Sequence, residues 1–267
     1  MNMLPKTEVL DLELSQGWLT VWFNQPARRN PITDGVITEL LAVCTAIRDQ
    51  RSIRGLTLRG RGGFFCAGGD LANFQKMANA EREDVITMSA SIAALFVALD
   101  TLPQVTIALI EGAAMAGGLG MACCCDVAIG ERNAKFAFTE TAIGISPAQI
   151  ARYVLRKAGV ATGRRLMLTA ARLDGTAALH AGLLDFVGAD CAEVEGIERG
   201  IRADVLRCAP GAVAATKQLL AQIPLTDSAQ IPRLAGENFT DCLRGPEGQE
   251  GVASFMEKRK PQWALEQ

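Results

Sequence analysis

The stretch from residue 105 to residue 129 constrains the fold most. A nearly apolar, strand-forming run, Val105-Thr106-Ile107-Ala108-Leu109-Ile110, ends in a glycine-rich turn from Glu111 to Gly120. A short apolar helix and a second strand-forming run, Val127-Ala128-Ile129, follow. A strand without hydrophobic alternation is buried on both faces, and a helix between two such strands returns the chain so that they lie parallel. The same order precedes it. Trp18-Leu19-Thr20-Val21-Trp22-Phe23 leads to helically spaced Val36, Leu40, Val43, Cys44 and Ile47, with Thr33 or Asp34 placed as N-cap, and then to Gly55-Leu56-Thr57-Leu58-Arg59. An amphipathic stretch over Val85–Leu99 feeds the strand at 105. Upstream, Leu10, Leu12 and Leu14 alternate, and Gly17 marks a hairpin turn. Recurring strand and helix units imply an α/β domain with a largely parallel, spiral sheet. Beyond about Gly144 the periodicity turns helical, over residues 147–157, 161–170, 175–181, 194–206, 210–221 and 229–243. The expected division is an α/β core over 1–200 and a helical portion over 201–267, with no flexible linker between them.

Composition narrows the function. The 267 residues are 49% hydrophobic, enough for a large core, and 27 basic against 29 acidic side chains give a net charge of -2. Such a surface has no global attraction for nucleic acid or anionic membranes, so an anionic ligand needs a local cluster. Eight cysteines, three of them consecutive at Cys123, Cys124 and Cys125, fit no disulfide framework and suggest reduced thiols in a cytoplasmic protein. No CxxC pair accompanies the single histidine, His180, so neither a zinc site nor a Ser-His-Asp hydrolase is expected. The opening MNMLPKTEVLDLEL lacks a basic segment followed by an apolar one, and the apolar region at 105–129 is interrupted by Glu111, several glycines and Asp126.

Two turns carry the chemistry. In Phe64-Phe65-Cys66-Ala67-Gly68-Gly69-Asp70-Leu71 small residues let a substrate approach the backbone. In Glu111-Gly112-Ala113-Ala114-Met115-Ala116-Gly117-Gly118-Leu119-Gly120 a strand passes into a helix start, where N–H groups lack internal partners. Either turn alone reads first as a tight turn or close helix–strand packing, and neither has the spacing of a nucleotide loop. Together they can present one N–H each to a single oxygen.

The segments FFCAGGDL, EGAAMAGGLGMACCCDVAIG and KFAFTETAIGISPAQI, in that order, resemble the signature of the crotonase (enoyl-CoA hydratase/isomerase) superfamily. The resemblance extends from QPARRNPIT near the N-terminus to FMEKRKP near the C-terminus. It implies a ββα spiral core with a C-terminal helical trimerisation portion, an acyl-CoA thioester as substrate, no separate cofactor, no metal, and trimers or dimers of trimers. The implied oxyanion hole is the N–H pair of Ala67 and Gly117. Ala67, Gly68, Gly69, Asp70 and Leu71 would line the coenzyme A path, and Arg28 and Arg29 would meet its phosphates. Phe255 and Lys258 would reach the CoA of a neighbouring subunit.

The acid–base residues depart from the family pattern. Of the two glutamates typical of the hydratases, the later corresponds to Glu140, whereas the earlier position holds Gly120. Gly120 is read as room for a bulky acyl chain, as one-carboxylate chemistry, or as lost activity. Glu140, set between Phe138 and Ala142-Ile143, is the expected acid–base group, with a pKa lifted by desolvation. One carboxylate suffices for a Δ3,Δ2-enoyl-CoA isomerase. The run TETAIGISPAQI is nonetheless similar to hydratases of branched glutaconyl-CoA thioesters, such as isohexenylglutaconyl-CoA and methylglutaconyl-CoA hydratase, which act in acyclic terpene and leucine breakdown. The expectation is therefore a hydratase, with the isomerase and a non-catalytic acyl-CoA binder as alternatives.

Overall fold

The computed structural model describes residues 4–264, apart from the side chain of Leu71. The outermost residues of the two expected ranges, 1–3 and 265–267, and the Leu71 side chain lie outside the described residues. Strands β1 (Leu10–Ser15) and β2 (Trp18–Phe23) form the expected antiparallel hairpin, closed by Gln16 and Gly17, both at positive φ. Helix α1 (Asp34–Ile47) starts at Thr33, whose hydroxyl accepts the Val36 N–H, and returns the chain to β3 (Gly55–Gly60). Next come α2 (Leu71–Met77), α3 (Arg82–Asp100), β4 (Val105–Ile110), the short β5 (Ala113–Met115) and α4 (Gly117–Cys124). Strands β6 (Val127–Glu131) and β7 (Lys135–Ala137) lead through a 3-10 turn at Glu140–Ile143 to α5 (Ala151–Ala158), α6 (Val160–Thr169), α7 (Gly175–His180) and β8 (Phe186–Gly188).

The main sheet has the order β1-β2-β3-β4-β6-β8, parallel throughout except for β1. A second layer pairs β5 with β7 in parallel and is extended by a parallel bridge between Cys66 and Ala114. Each of β3, β4 and β6 thus passes from the main sheet into the second layer before its helix. This repeat produces the α/β spiral expected from the sequence.

Period-two alternation sorts β4 between two cores. Ala108 and Ile110 join Leu56, Phe65, Phe96, Phe136 and the buried face of α1. Ile107 and Leu109 pack with Trp18 and Ile129 beneath α8 (Cys191–Arg207), through Val194, Ile197, Ile201 and Val205. The Thr57 hydroxyl donates to Glu198 at 2.5 Å, tying α8 to β3. Residue 200 therefore lies inside a helix belonging to the core, and the appended helical portion starts later, at α9 (Pro210–Gln222), followed by α10 (Ile231–Arg244) and α11 (Pro246–Met256). Arg54 anchors that portion by donating to the carbonyls of Cys208 and Trp263. The triple cysteine is buried, and burial pushes the Cys123 and Cys125 thiols up to about 12. His180 ends α7 at the surface. No helix among the described residues is long and apolar enough to cross a membrane.

Candidate active site

A cavity of about 600 Å³ opens where the second layer meets α3 and α4. Its walls include Ala67, Gly69, Ala116, Gly117 and Glu140, with Ile37, Phe74, Met77, Met88, Phe96 and Ile150 as apolar lining. This volume lies in the usual range for small-molecule sites.

The two turns are held together by backbone contact. Cys66 N–H donates to Ala113 O at 3.1 Å, and Met115 N–H donates to Cys66 O at 3.0 Å. A Cβ on Gly68, which has φ +94°, would lie 2.9 Å from the Ala116 Cβ, and one on Gly118 would lie 2.7 Å from the Cys66 Cβ. Only glycine permits that approach. Because Cys66 pairs with Ala114, Gly69 and Gly117 occupy equivalent places, three residues further along each strand.

Accounting for every N–H shows which donors remain available. Residues 67–70 run beside 29–32, so Ala67 N–H donates to Arg29 O at 2.9 Å and Asp70 N–H to Ile32 O at 3.4 Å. Gly68 N–H faces Cys66 Sγ at 3.5 Å. Among the described residues, Gly69 N–H has no acceptor. On the second turn, Ala116 N–H donates to Ala137 O at 2.8 Å and Gly120 N–H to Ala116 O at 3.0 Å, which leaves Gly117 N–H at the helix start without an acceptor among the described residues. The expected assignment to Ala67 is therefore corrected. Its N–H is occupied within the protein, and the residue of that turn that both lines the cavity and has an N–H without an acceptor among the described residues is Gly69. Ala116 turns the chain there at φ 48° and ψ -124°, a conformation strained for any residue but glycine.

Glu140 opens the 3-10 turn, lines the same cavity and is 8% exposed. Ile145 N–H donates to its backbone carbonyl, and Thr141 Oγ1 ties the turn to Met167 O at 2.9 Å. Its Oε2 has no hydrogen-bond partner among the described residues, and burial raises its carboxyl above the usual carboxylate range. The site thus combines two unpaired backbone donors with a desolvated carboxyl able to exchange a proton.

Gly120 is not part of the cavity wall. A Cβ there would fall 2.7 Å from the Ile150 Cβ, so Ile150 fills the space that the sequence reading assigned to substrate. At the cavity mouth, Arg28 pairs with Asp70 at 2.8 Å, and Asp70 caps α2 by accepting Ala72 N–H at 3.1 Å. The Arg28 guanidinium holds the Asp70 carboxyl below its usual range. The Arg29 guanidinium stacks 5.8 Å from the Phe64 ring. Leu71 opens α2. Phe255 and Lys258 lie at the end of α11 and do not line this cavity; the Phe255 ring is 82% exposed.

Comparison with known proteins gives the same reading. The family model for enoyl-CoA hydratase/isomerase matches residues 13–266. Enoyl-CoA hydratase domain-containing protein 2, mitochondrial, of Homo sapiens is 31% identical over 93% of this chain and 86% of its own. Enoyl-CoA hydratase ACTT6 of Alternaria alternata is 30% identical over 90% of this chain and 78% of its own. Among solved structures, Pseudomonas aeruginosa AtuE superposes with a TM-score of 0.93 at 42% identity, covering 96% of this chain and 100% of that one. An enoyl-CoA hydratase/isomerase from Marinobacter aquaeolei gives 0.92 at 36% identity, covering 96% and 99%. Glycine turns that converge on one cavity, an unpaired buried carboxyl and a match along almost the whole chain place this protein in the enoyl-CoA hydratase/isomerase family.

Proposed function

We propose that the protein is an enoyl-CoA hydratase that adds water across the 2,3 double bond of a branched acyl-CoA, of the isohexenylglutaconyl-CoA type. The observation that carries this reading is the unpaired N–H of Gly69 and of Gly117 on the cavity that also holds the unsatisfied Glu140 Oε2. The thioester carbonyl accepts both N–H groups. Addition at C3 then yields an enolate whose charge sits on that oxygen, where fixed donors in a water-poor site stabilise it. Glu140 takes a proton from the attacking water and returns one to C2 on the same face, which is a syn addition. The gly-rich loop from Gly68 to Asp70 would carry the coenzyme A, with Arg29 toward its phosphates, and the apolar wall of Met77, Met88, Ile92 and Ile150 suits a branched hydrocarbon chain.

A Δ3,Δ2-enoyl-CoA isomerase is the second reading, favoured by Ile150 standing where a second carboxylate would act. Straight and 3-branched enoyl-CoAs incubated with the protein in ¹⁸O water and read by mass spectrometry separate the two. The hydratase incorporates solvent oxygen into the 3-hydroxyacyl product. The isomerase moves the double bond of a 3-enoyl-CoA without label, and unchanged thioesters throughout would leave a non-catalytic binder. A homo-oligomer built through α9–α11 accompanies this proposal, since Leu220, Phe239, Leu243 and Val252 present apolar surface there.

A further inference from the structure

The acyl wall contains one polar pair that the proposed chemistry does not use. Gln149 Nε2 donates to Ser89 Oγ at 2.6 Å, joining the segment before α5 to the first half of α3 across sixty residues. Both residues line the cavity, beside Met88, Ile92, Pro147 and Ile150. The hydrogen bond fixes both side chains but leaves valence over. Among the described residues the Ser89 hydroxyl proton and the second Gln149 amide proton have no acceptor, and the Gln149 carbonyl has no donor. Polar groups left unpaired on an apolar, partly buried wall are unfavourable unless a ligand or water completes them. A site with such groups then discriminates strongly against ligands that cannot pair with them.

We infer that Gln149 and Ser89 form a specificity-determining contact for an acceptor oxygen carried on the acyl chain, either a carboxylate or a ketone. This rests on the acyl-CoA reading above and deepens it. The two donors are adjacent, so one oxygen, or the two oxygens of one carboxylate, can bridge them. None of the described residues lining the cavity is Lys, Arg or His, so recognition there is by neutral donors. A plain hydrocarbon chain leaves both donors unpaired.

Saturated thioesters test this by binding alone, because they are not hydrated. The purified protein is titrated calorimetrically with valeryl-CoA, glutaryl-CoA and 4-oxovaleryl-CoA, and with the hexanoyl, adipyl and 5-oxohexanoyl homologues. The expected result is that at least one oxygenated chain binds about 10-fold more tightly than the hydrocarbon of equal length. Gln149→Leu and Ser89→Ala should each remove that preference and bind valeryl-CoA at least as tightly as the parent does. Gln149→Glu should reverse it for the carboxylates only. If the chosen chain is glutaryl or adipyl the acceptor is a carboxylate; if it is the oxo chain, a ketone. Equal affinity for oxygenated and hydrocarbon chains at both lengths overturns the inference and leaves the hydratase proposal standing. So does a preference that survives Gln149→Leu. Failure to bind any CoA thioester overturns both.

Discussion

Ile150 occupies the volume next to Gly120 so fully that its Cβ lies 2.7 Å from where a Gly120 Cβ would be. The absence of a side chain at 120 is therefore a packing requirement of the present structure, met by a residue from the loop that leads into α5. A carboxylate at this point of α4 and an isoleucine at 150 exclude one another.

Gly120→Glu alone should overpack a buried helix and leave its charge unpaired, destabilising the protein by about 3 kcal/mol or more. Gly120→Glu with Ile150→Gly should recover most of that loss, since residue 150 is the N-cap of α5, where glycine is tolerated. Denaturant titration of the parent, Gly120→Glu, Ile150→Gly and the double variant measures this coupling. Additive effects would show that the two positions do not share the space.

The assignment of the amide donors can be tested without changing side chains. Replacing Gly69 or Gly117 by glycolic acid, through nonsense suppression, turns the N–H into an ester oxygen. Each should lower kcat by about 10² to 10³, the usual effect of losing one oxyanion donor. Lactic acid at 67 removes the bond to Arg29 O and weakens Cys66 O as the acceptor of the Met115 N–H, but takes no donor from the cavity. It should weaken folding by about 1 kcal/mol and leave turnover nearly intact. Stopped-flow turnover rates decide between Ala67 and Gly69, because a collapse at 67 with none at 69 would reinstate Ala67.

Ala116 holds a strained conformation immediately before Gly117, whose N–H has no acceptor among the described residues. Ala116→Gly should relieve roughly 1–3 kcal/mol of backbone strain, offset by up to about 1 kcal/mol of glycine entropy. The expected outcome is a melting temperature raised by about 2–4 °C together with a severalfold lower kcat, as the Gly117 N–H loses its fixed direction. Calorimetry and a steady-state assay on the same sample check both signs. A less stable variant would show that the alanine methyl, packed against Gly68, matters more than the strain.

These residues also show how far the sequence was legible. Val105–Ile110 and Trp18–Phe23 announced buried strands because apolar side chains on both faces leave little alternative. The burial of Glu140 was legible because it follows the apolar run of Phe136 and Phe138 and precedes Ala142-Ile143. Gly69 was not: which N–H of the 67–70 turn stays open depends on pairing with residues 29–32, a contact that no local pattern encodes. The filling of Gly120 by Ile150 was hidden for the same reason. Strands β5, β7 and β8 are three residues each, too short for a period to appear. Helix α11 escaped because Val252, Phe255 and Met256 are exposed, so no buried stripe marks it.

The last prediction follows from the carboxyl of Glu140, which burial raises above its usual pKa. Between the unfolded and the folded pKa the native state holds more protons than the unfolded chain, so its stability falls as pH rises through that window. Below the unfolded value, near 4.5, both states are protonated and the penalty is absent. Glu140→Gln keeps the shape and removes the ionisation. It should therefore melt at a higher temperature than the parent at pH 7 and at the same temperature at pH 4. Turnover should move oppositely, with kcat lower by about 10² and the acidic limb of the pH–rate profile lost, because that limb reports ionisation of the base. Melting curves and rate profiles of the two proteins over pH 4–8 test both claims. A variant with near-normal turnover would remove Glu140 from the proton-transfer role, and one less stable at neutral pH would mean that its carboxylate is held by favourable contacts rather than merely desolvated.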